Sequence, residues 1–173
     1  MTTETTNGQN AQPIQTSFST WRRACHHCEP ALYALLRTAF GIVLFTHGLP
    51  KVLGASHGSM ADPMAASINL IQNVMGLPFA PQLAFLVMLL ETIGAIMLAL
   101  GLFTRVVASL FVLEMVGISF ALGPTWPWID RGIEYPVLMA FLALYIVARG
   151  GGAYALHLAV FSARTSRPRI PPL

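Results

Sequence analysis

Charge is what this 173-residue chain has least of. Asp, Glu, Lys and Arg make up only 10% of it, where a soluble domain carries about 25%. Hydrophobic residues make up 55%, and the mean hydropathy is +0.64. That shortfall excludes an ordinary soluble domain and points to an integral membrane protein. The length accommodates about four spans of ~20 residues each with their loops. No block of Lys and Arg alternates with aromatics, which argues against nucleic acid as a partner. The first twenty residues lack an apolar core, so they do not read as a cleavable signal peptide. They read as a mobile polar tail, leaving insertion to the first span.

Cysteine is scarce as well, with two in the chain. Both lie in Cys25-His26-His27-Cys28. A Cys-x-x-Cys pair can hold zinc or exchange thiols. Four adjacent residues do not easily close a tetrahedron, however, no second Cys pair exists, and no His follows Cys28 as a c-type haem motif requires. The favoured reading of residues 18–30 is a short interfacial helix broken by Pro30, with incidental thiols. Cys25, His26, His27 and Cys28 remain the weak metal candidates.

What charge there is concentrates where it is costly. The stretch Arg37 to Lys51, RTAFGIVLFTHGLPK, is apolar enough to enter a bilayer, yet it carries Arg37, His47 and Lys51. At 100° per residue these three fall within about 80° of one another on a helix. Gly41 and Gly48 lie on nearly the same stripe, where small residues let a neighbouring helix approach. Intramembrane ionisable groups are usually paired or functional.

Span one is expected over 32–52. Asp62 then caps a helix starting at Pro63 and closed by Gly76, too short and polar to span, which belongs at the interface or over the bundle mouth. Spans two, three and four are expected at 82–102, 106–122 and 134–148, with the last able to extend through Gly150–Gly152. Glu91 and Glu114 fall near the middles of spans two and three, each three residues before a glycine. Trp126, Trp128 and Tyr135 suit an aromatic belt. Arg22, Arg23, Arg105, Arg149, Arg164, Arg167 and Arg169 gather on one side, against Lys51 and Arg131 on the other. The positive-inside rule therefore puts both termini in the cytoplasm. Helical rise predicts two polar layers, Arg37 with Glu91 or Glu114, and Lys51 with His47 and Glu134.

The expected fold is all-α, an integral membrane four-helix bundle with a short interfacial helix between spans one and two. A tail over 1–30 precedes the membrane domain (31–157), and a basic tail (158–173) follows it. The buried charges read equally as register-fixing ion pairs or as the lining of a polar cleft and proton path. His57 and His157 read as ordinary interfacial residues.

Three stretches, LLRTAFGIVLFTHGLPKVLG, APQLAFLVMLLETIGAIMLALGLFTR and GIEYPVLMAFLALYIVARGGGAYALH, occur in an order and spacing that resemble the DoxX family of small bacterial four-helix membrane proteins. The resemblance carries over onto Arg37, His47, Gly48, Lys51, Glu91, Gly94, Gly101, Thr104, Arg105, Glu134, Tyr135 and Pro136. His157 stands where family members often carry an acid. The resemblance implies a link to membrane redox systems, including quinone-coupled oxidation. On that reading the chain is a bacterial inner-membrane subunit that binds a quinone headgroup in its polar cleft. Glu91 and His47 would exchange protons, with Arg37, Lys51, Glu114 and Glu134 lining the cleft. No flavin or nicotinamide fingerprint is present, so electrons would come from a partner protein. Homo-oligomerisation is left open. A non-enzymatic scaffold docking a partner through its aromatic loop and arginine tail is the alternative. A small-solute or ion transporter ranks third.

Overall fold

The computed structural model describes residues 12–130 and 132–156, and among these no strand occurs. Arg131, His157, Arg164, Arg167 and Arg169 lie outside the described residues, as does the polar start of the chain, residues 1–11. Helix α1, Gln12–Leu53, runs unbroken through Pro30 and Pro50. The expected break at Pro30 is therefore corrected, and the interfacial segment and first span are one helix. Proline removes one amide bond from the ladder, but the adjoining turn is held from outside. Glu29 pairs with Arg149, whose guanidinium carbon lies 4.7 Å from the centre of the Tyr33 ring.

Helix α2, Pro63–Asn69, begins as its sequence predicts. The Asp62 carboxylate accepts from the Ala65 N–H at 2.9 Å, and Pro63 takes the first position. It passes into a π turn, Leu70–Val74, and the chain reverses at Gly76 with φ +65°. Helix α3, Ala80–Leu89, a π turn, Leu90–Gly94, and α4, Ala95–Leu100, together make one 21-residue apolar rod. Gly101, at φ +78°, turns the chain into α5, Thr104–Leu122. A 3₁₀ turn, Trp128–Asp130, precedes α6, Glu134–Arg149. Helix α6 does not extend through the glycines, because Gly150 and Gly152 take φ +77° and +70° and fold the chain back over the helix end.

Cys25–Leu53, Ala80–Leu100 and Thr104–Leu122 are long and apolar enough to cross a membrane. Helix α6, at 16 residues, packs along α5 and shares the same core. Leu44 of α1, Leu98 of α4, Phe111 of α5 and Ile146 of α6 are all buried in it. The outer surfaces are apolar too, with Leu35, Ile42, Phe85, Leu113, Phe120 and Phe141 exposed. Water would penalise so continuous a coat, whereas lipid would not. The protein is a multi-pass membrane protein.

Two glycines set how closely α1 lies on the α3–α4 rod. A methyl group on Gly48 would stand 2.7 Å from the Glu91 carbonyl carbon, and one on Gly41 would stand 2.6 Å from the Ala95 oxygen. Neither backbone atom can swing aside. On α5, a methyl on Gly117 would meet only the flexible Met75 side chain, at 3.6 Å. Gly48→Ala should therefore destabilise the protein by about 1–3 kcal/mol, the usual cost of overpacking. Gly117→Ala should stay within about 0.5 kcal/mol of wild type. Thermal unfolding of the two variants in detergent checks this, and equal stabilities would contradict the packing argument.

Candidate functional site

The last two turns of α1 and the π turn of the rod bring the first polar group together. Lys51 Nζ lies 2.6 Å from Glu91 Oε2, with the two side chains only 9% and 6% exposed. Gly48, one turn before Lys51, makes this possible by letting the Glu91 backbone come close. The π turn matters as well. Its extra residue per turn alters the facing of the side chains, so Glu91, Thr92 and Gly94 are all buried together. The Thr92 hydroxyl is satisfied within the rod, donating to the Met88 carbonyl at 2.7 Å.

Glu114 of α5 completes the group. Its carboxyl lies beside Glu91 and within the field of Lys51. Both of its oxygens are buried, yet neither makes a well-formed hydrogen bond. His47, one turn before Lys51, feels Glu91 and Lys51 and packs edge-on against His57, with ring centres 5.0 Å apart. His57, expected to be an ordinary loop residue, therefore belongs to this group. Ring packing between two distant histidines leaves no spacing signal in the sequence.

Arg37 stands elsewhere. The expected pairing of Arg37 with Glu91 or Glu114 is corrected: its guanidinium donates to the carbonyls of Gly151, Ala99 and Tyr154. It is 2% exposed. Ala99 lies eight residues beyond Glu91, roughly 12 Å along the rod, so Arg37 cannot reach the carboxylates. It meets instead the carbonyl end of α4, where the helix dipole concentrates negative charge, and two carbonyls of the loop after α6. Tyr33 strengthens the same junction by donating to the Gly150 carbonyl, and Thr38 donates to Ala99 O at 3.3 Å. The glycine triplet 150–152 was the available clue, since such a run can present carbonyls to one buried donor.

The second expected layer is also rearranged. Lys51 takes Glu91 as its partner, while Glu134 stands exposed in the first turn of α6. Cys25 and Cys28 are free and exposed on α1. Among the described residues no three His, Cys, Asp or Glu side chains are grouped to hold a metal ion.

The DoxX sequence profile matches residues 32–124. This chain belongs to the DoxX family. The matched segment contains Arg37, His47, Lys51, Glu91 and Glu114, so both buried polar groups are rooted in the DoxX core. A protein of Bacillus subtilis (strain 168) named "Putative oxidoreductase CatD" is 28% identical, over 75% of this chain and 87% of its own. A Haemophilus influenzae (strain ATCC 51907 / DSM 11121 / KW20 / Rd) protein described as "Uncharacterized protein" is 30% identical, over 74% of this chain and 90% of its own. No solved structure matches the chain.

The two polar groups of this DoxX protein predict different mutational behaviour. Lys51→Met strands a buried carboxylate, which costs about 3–5 kcal/mol. Adding Glu91→Gln should recover part of that loss, because the pair is then removed as a unit. A double-mutant cycle on the melting transition reads the coupling, and additive losses would deny the ion pair. Arg37→Met leaves several carbonyls unbonded at once and should cost about 2 kcal/mol or more, with no rescue from Glu91→Gln or Glu114→Gln.

Proposed function

We propose that this DoxX protein is an integral subunit of a bacterial inner-membrane redox system, exchanging protons through Glu91, Glu114 and His47. The observation that carries the reading is the Lys51–Glu91 pair with a second buried carboxyl, Glu114, beside Glu91. One ammonium balances one carboxylate, and a group in apolar surroundings tends toward zero net charge. One further proton must then be shared among Glu91, Glu114 and His47, which is the condition for passing it on. The oxidoreductase name of the Bacillus relative supports the same class of function.

In this reading α6 is a fourth span and the α2 segment lies at the interface. Both termini are cytoplasmic, with Arg105 and Arg149 at the cytoplasmic end and Lys51 toward the other. Met75, at the close of the α2 segment, is the side chain nearest Gly117, one turn beyond Glu114. That segment would therefore cover the carboxyl pair from the outer side.

The buried Glu114 oxygens, which make no well-formed hydrogen bond, fit a ligand that offers hydroxyl donors, as a quinol does. Glu114 and His47 would hold such a headgroup beside the Lys51–Glu91 pair. Quinone supplies two-electron chemistry coupled to two protons, and electrons come from a partner protein. Arg37 has no part here, since carbonyls occupy it about four turns from Lys51 along α1.

Solvent extraction and mass spectrometry of the detergent-purified protein test the proposal. Quinone should accompany the wild type and fall about tenfold in Glu114→Gln, the worth of a hydrogen bond to a charged group. Glu91→Gln should lose it as well, both variants retaining helical circular dichroism. A wild type that retains no quinone after reconstitution in quinone-containing liposomes would sink the proposal, as would unchanged loading of the variants.

A further inference from the structure

At the Arg37 end of the protein, a second feature has no part in the proton-exchanging group. A cavity of about 330 Å³ opens between the α4–α5 turn and the glycine loop after α6. Thr104, Arg105, Arg149 and Gly150–Gly152 line it. We propose that this cavity binds a phosphate-bearing anion.

Four observations converge on that chemistry. Thr104 is only 4% exposed, yet its hydroxyl has no hydrogen-bond partner. A buried hydroxyl without a partner carries a cost that a ligand oxygen would remove. Thr104 is also the first residue of α5, a 19-residue helix whose N-terminus has no side-chain cap. The leading N–H groups of such a helix, with its dipole, favour an anion.

Two guanidinium groups add positive charge. Arg105 lies against Gly150, its Nε 3.1 Å from the place a methyl on that glycine would occupy. A side chain there would crowd the arginine. Arg149 already pairs with Glu29 and also bonds Tyr145. A guanidinium has five donor hydrogens, more than one carboxylate oxygen uses. Finally, the Gly150 and Gly151 carbonyls are turned to Tyr33 and Arg37. In a trans peptide the following N–H points the opposite way, so the Gly151 and Gly152 N–H groups face away from those two side chains.

A hydroxyl, a helix N-terminus without a side-chain cap and two guanidinium groups around one small cavity suit a tetrahedral, multiply accepting anion. A phosphodiester in a lipid headgroup and a free phosphate share that chemistry. The site is independent of quinone binding, because none of its residues belongs to the Lys51–Glu91–Glu114 group.

Titration calorimetry on the delipidated full-length protein in detergent separates the sources. The probes are inorganic phosphate and dihexanoyl phosphatidylglycerol, with dihexanoyl phosphatidylcholine as the zwitterionic control. One or both anionic probes should bind saturably. Kd should rise about tenfold in Arg105→Gln and several-fold in Thr104→Val, as expected for losing a charged and a neutral donor. Thr104→Val keeps the side-chain shape, and melting temperature and helical circular dichroism should match wild type. Saturable phosphate binding identifies a soluble ligand, and binding of phosphatidylglycerol alone identifies a lipid headgroup. Binding of neither anion would overturn the proposal. So would phosphatidylcholine binding equal to phosphatidylglycerol, or wild-type affinity in both variants.

Discussion

The close approach of α1 to the α3–α4 rod is the constraint on which the other features depend. Gly41 and Gly48 let α1 lie directly against the Ala95 and Glu91 backbone, with Ala99 and Thr92 side-chain atoms packed beside them. Because the two helices are fixed at two points, their axial register is fixed too. That register places Lys51 at Glu91 and Arg37 at Ala99. A slip of one helical turn, about 5.4 Å, would break both arrangements together.

Arg37 and Lys51 are offset by different physics. Arg37 is matched by carbonyl dipoles at the end of α4 and in the loop after α6, acceptors that neither gain nor lose a proton in its surroundings. It is a fixed pin that ties α1, α4 and the post-α6 loop into one junction. Lys51 is matched by a carboxylate, and a second carboxyl lies beside the pair. Such a group can hold one proton in more than one place, the property on which the proposed proton exchange depends.

The π turn at Leu90–Gly94 shows how a local irregularity serves the site. A π turn sacrifices regular helical bonding, and such turns gather at functional positions. Here the Thr92 hydroxyl bonds back into the rod, and the lack of a side chain at Gly94 leaves room beside Leu90 and Val107. Glu91 can then face Lys51 while Ala95 and Leu98 remain in the apolar core.

The sequence by itself determined the helices, their approximate ends and the ionisable residues that had to be buried. Hydrophobic runs with few charges, Asp62–Pro63 at a helix start and glycines at helix ends are local signals, and they need no knowledge of neighbours. It also marked Gly48 as a contact residue, since a glycine beside a buried charge has a local meaning. Which charges meet was decided only by the tertiary structure. Periodicity placed Arg37, His47 and Lys51 on one stripe, but the partners depend on how far one helix slides along another. Pro30 likewise looked like a stop, and only Glu29 with Arg149 and Tyr33 shows why the helix continues through it. The Arg37 carbonyl cage joins residues more than a hundred positions apart, and the His47–His57 contact joins a helix to the loop after it. Local pattern reports which groups are costly to bury; only the packed helices decide what offsets each cost.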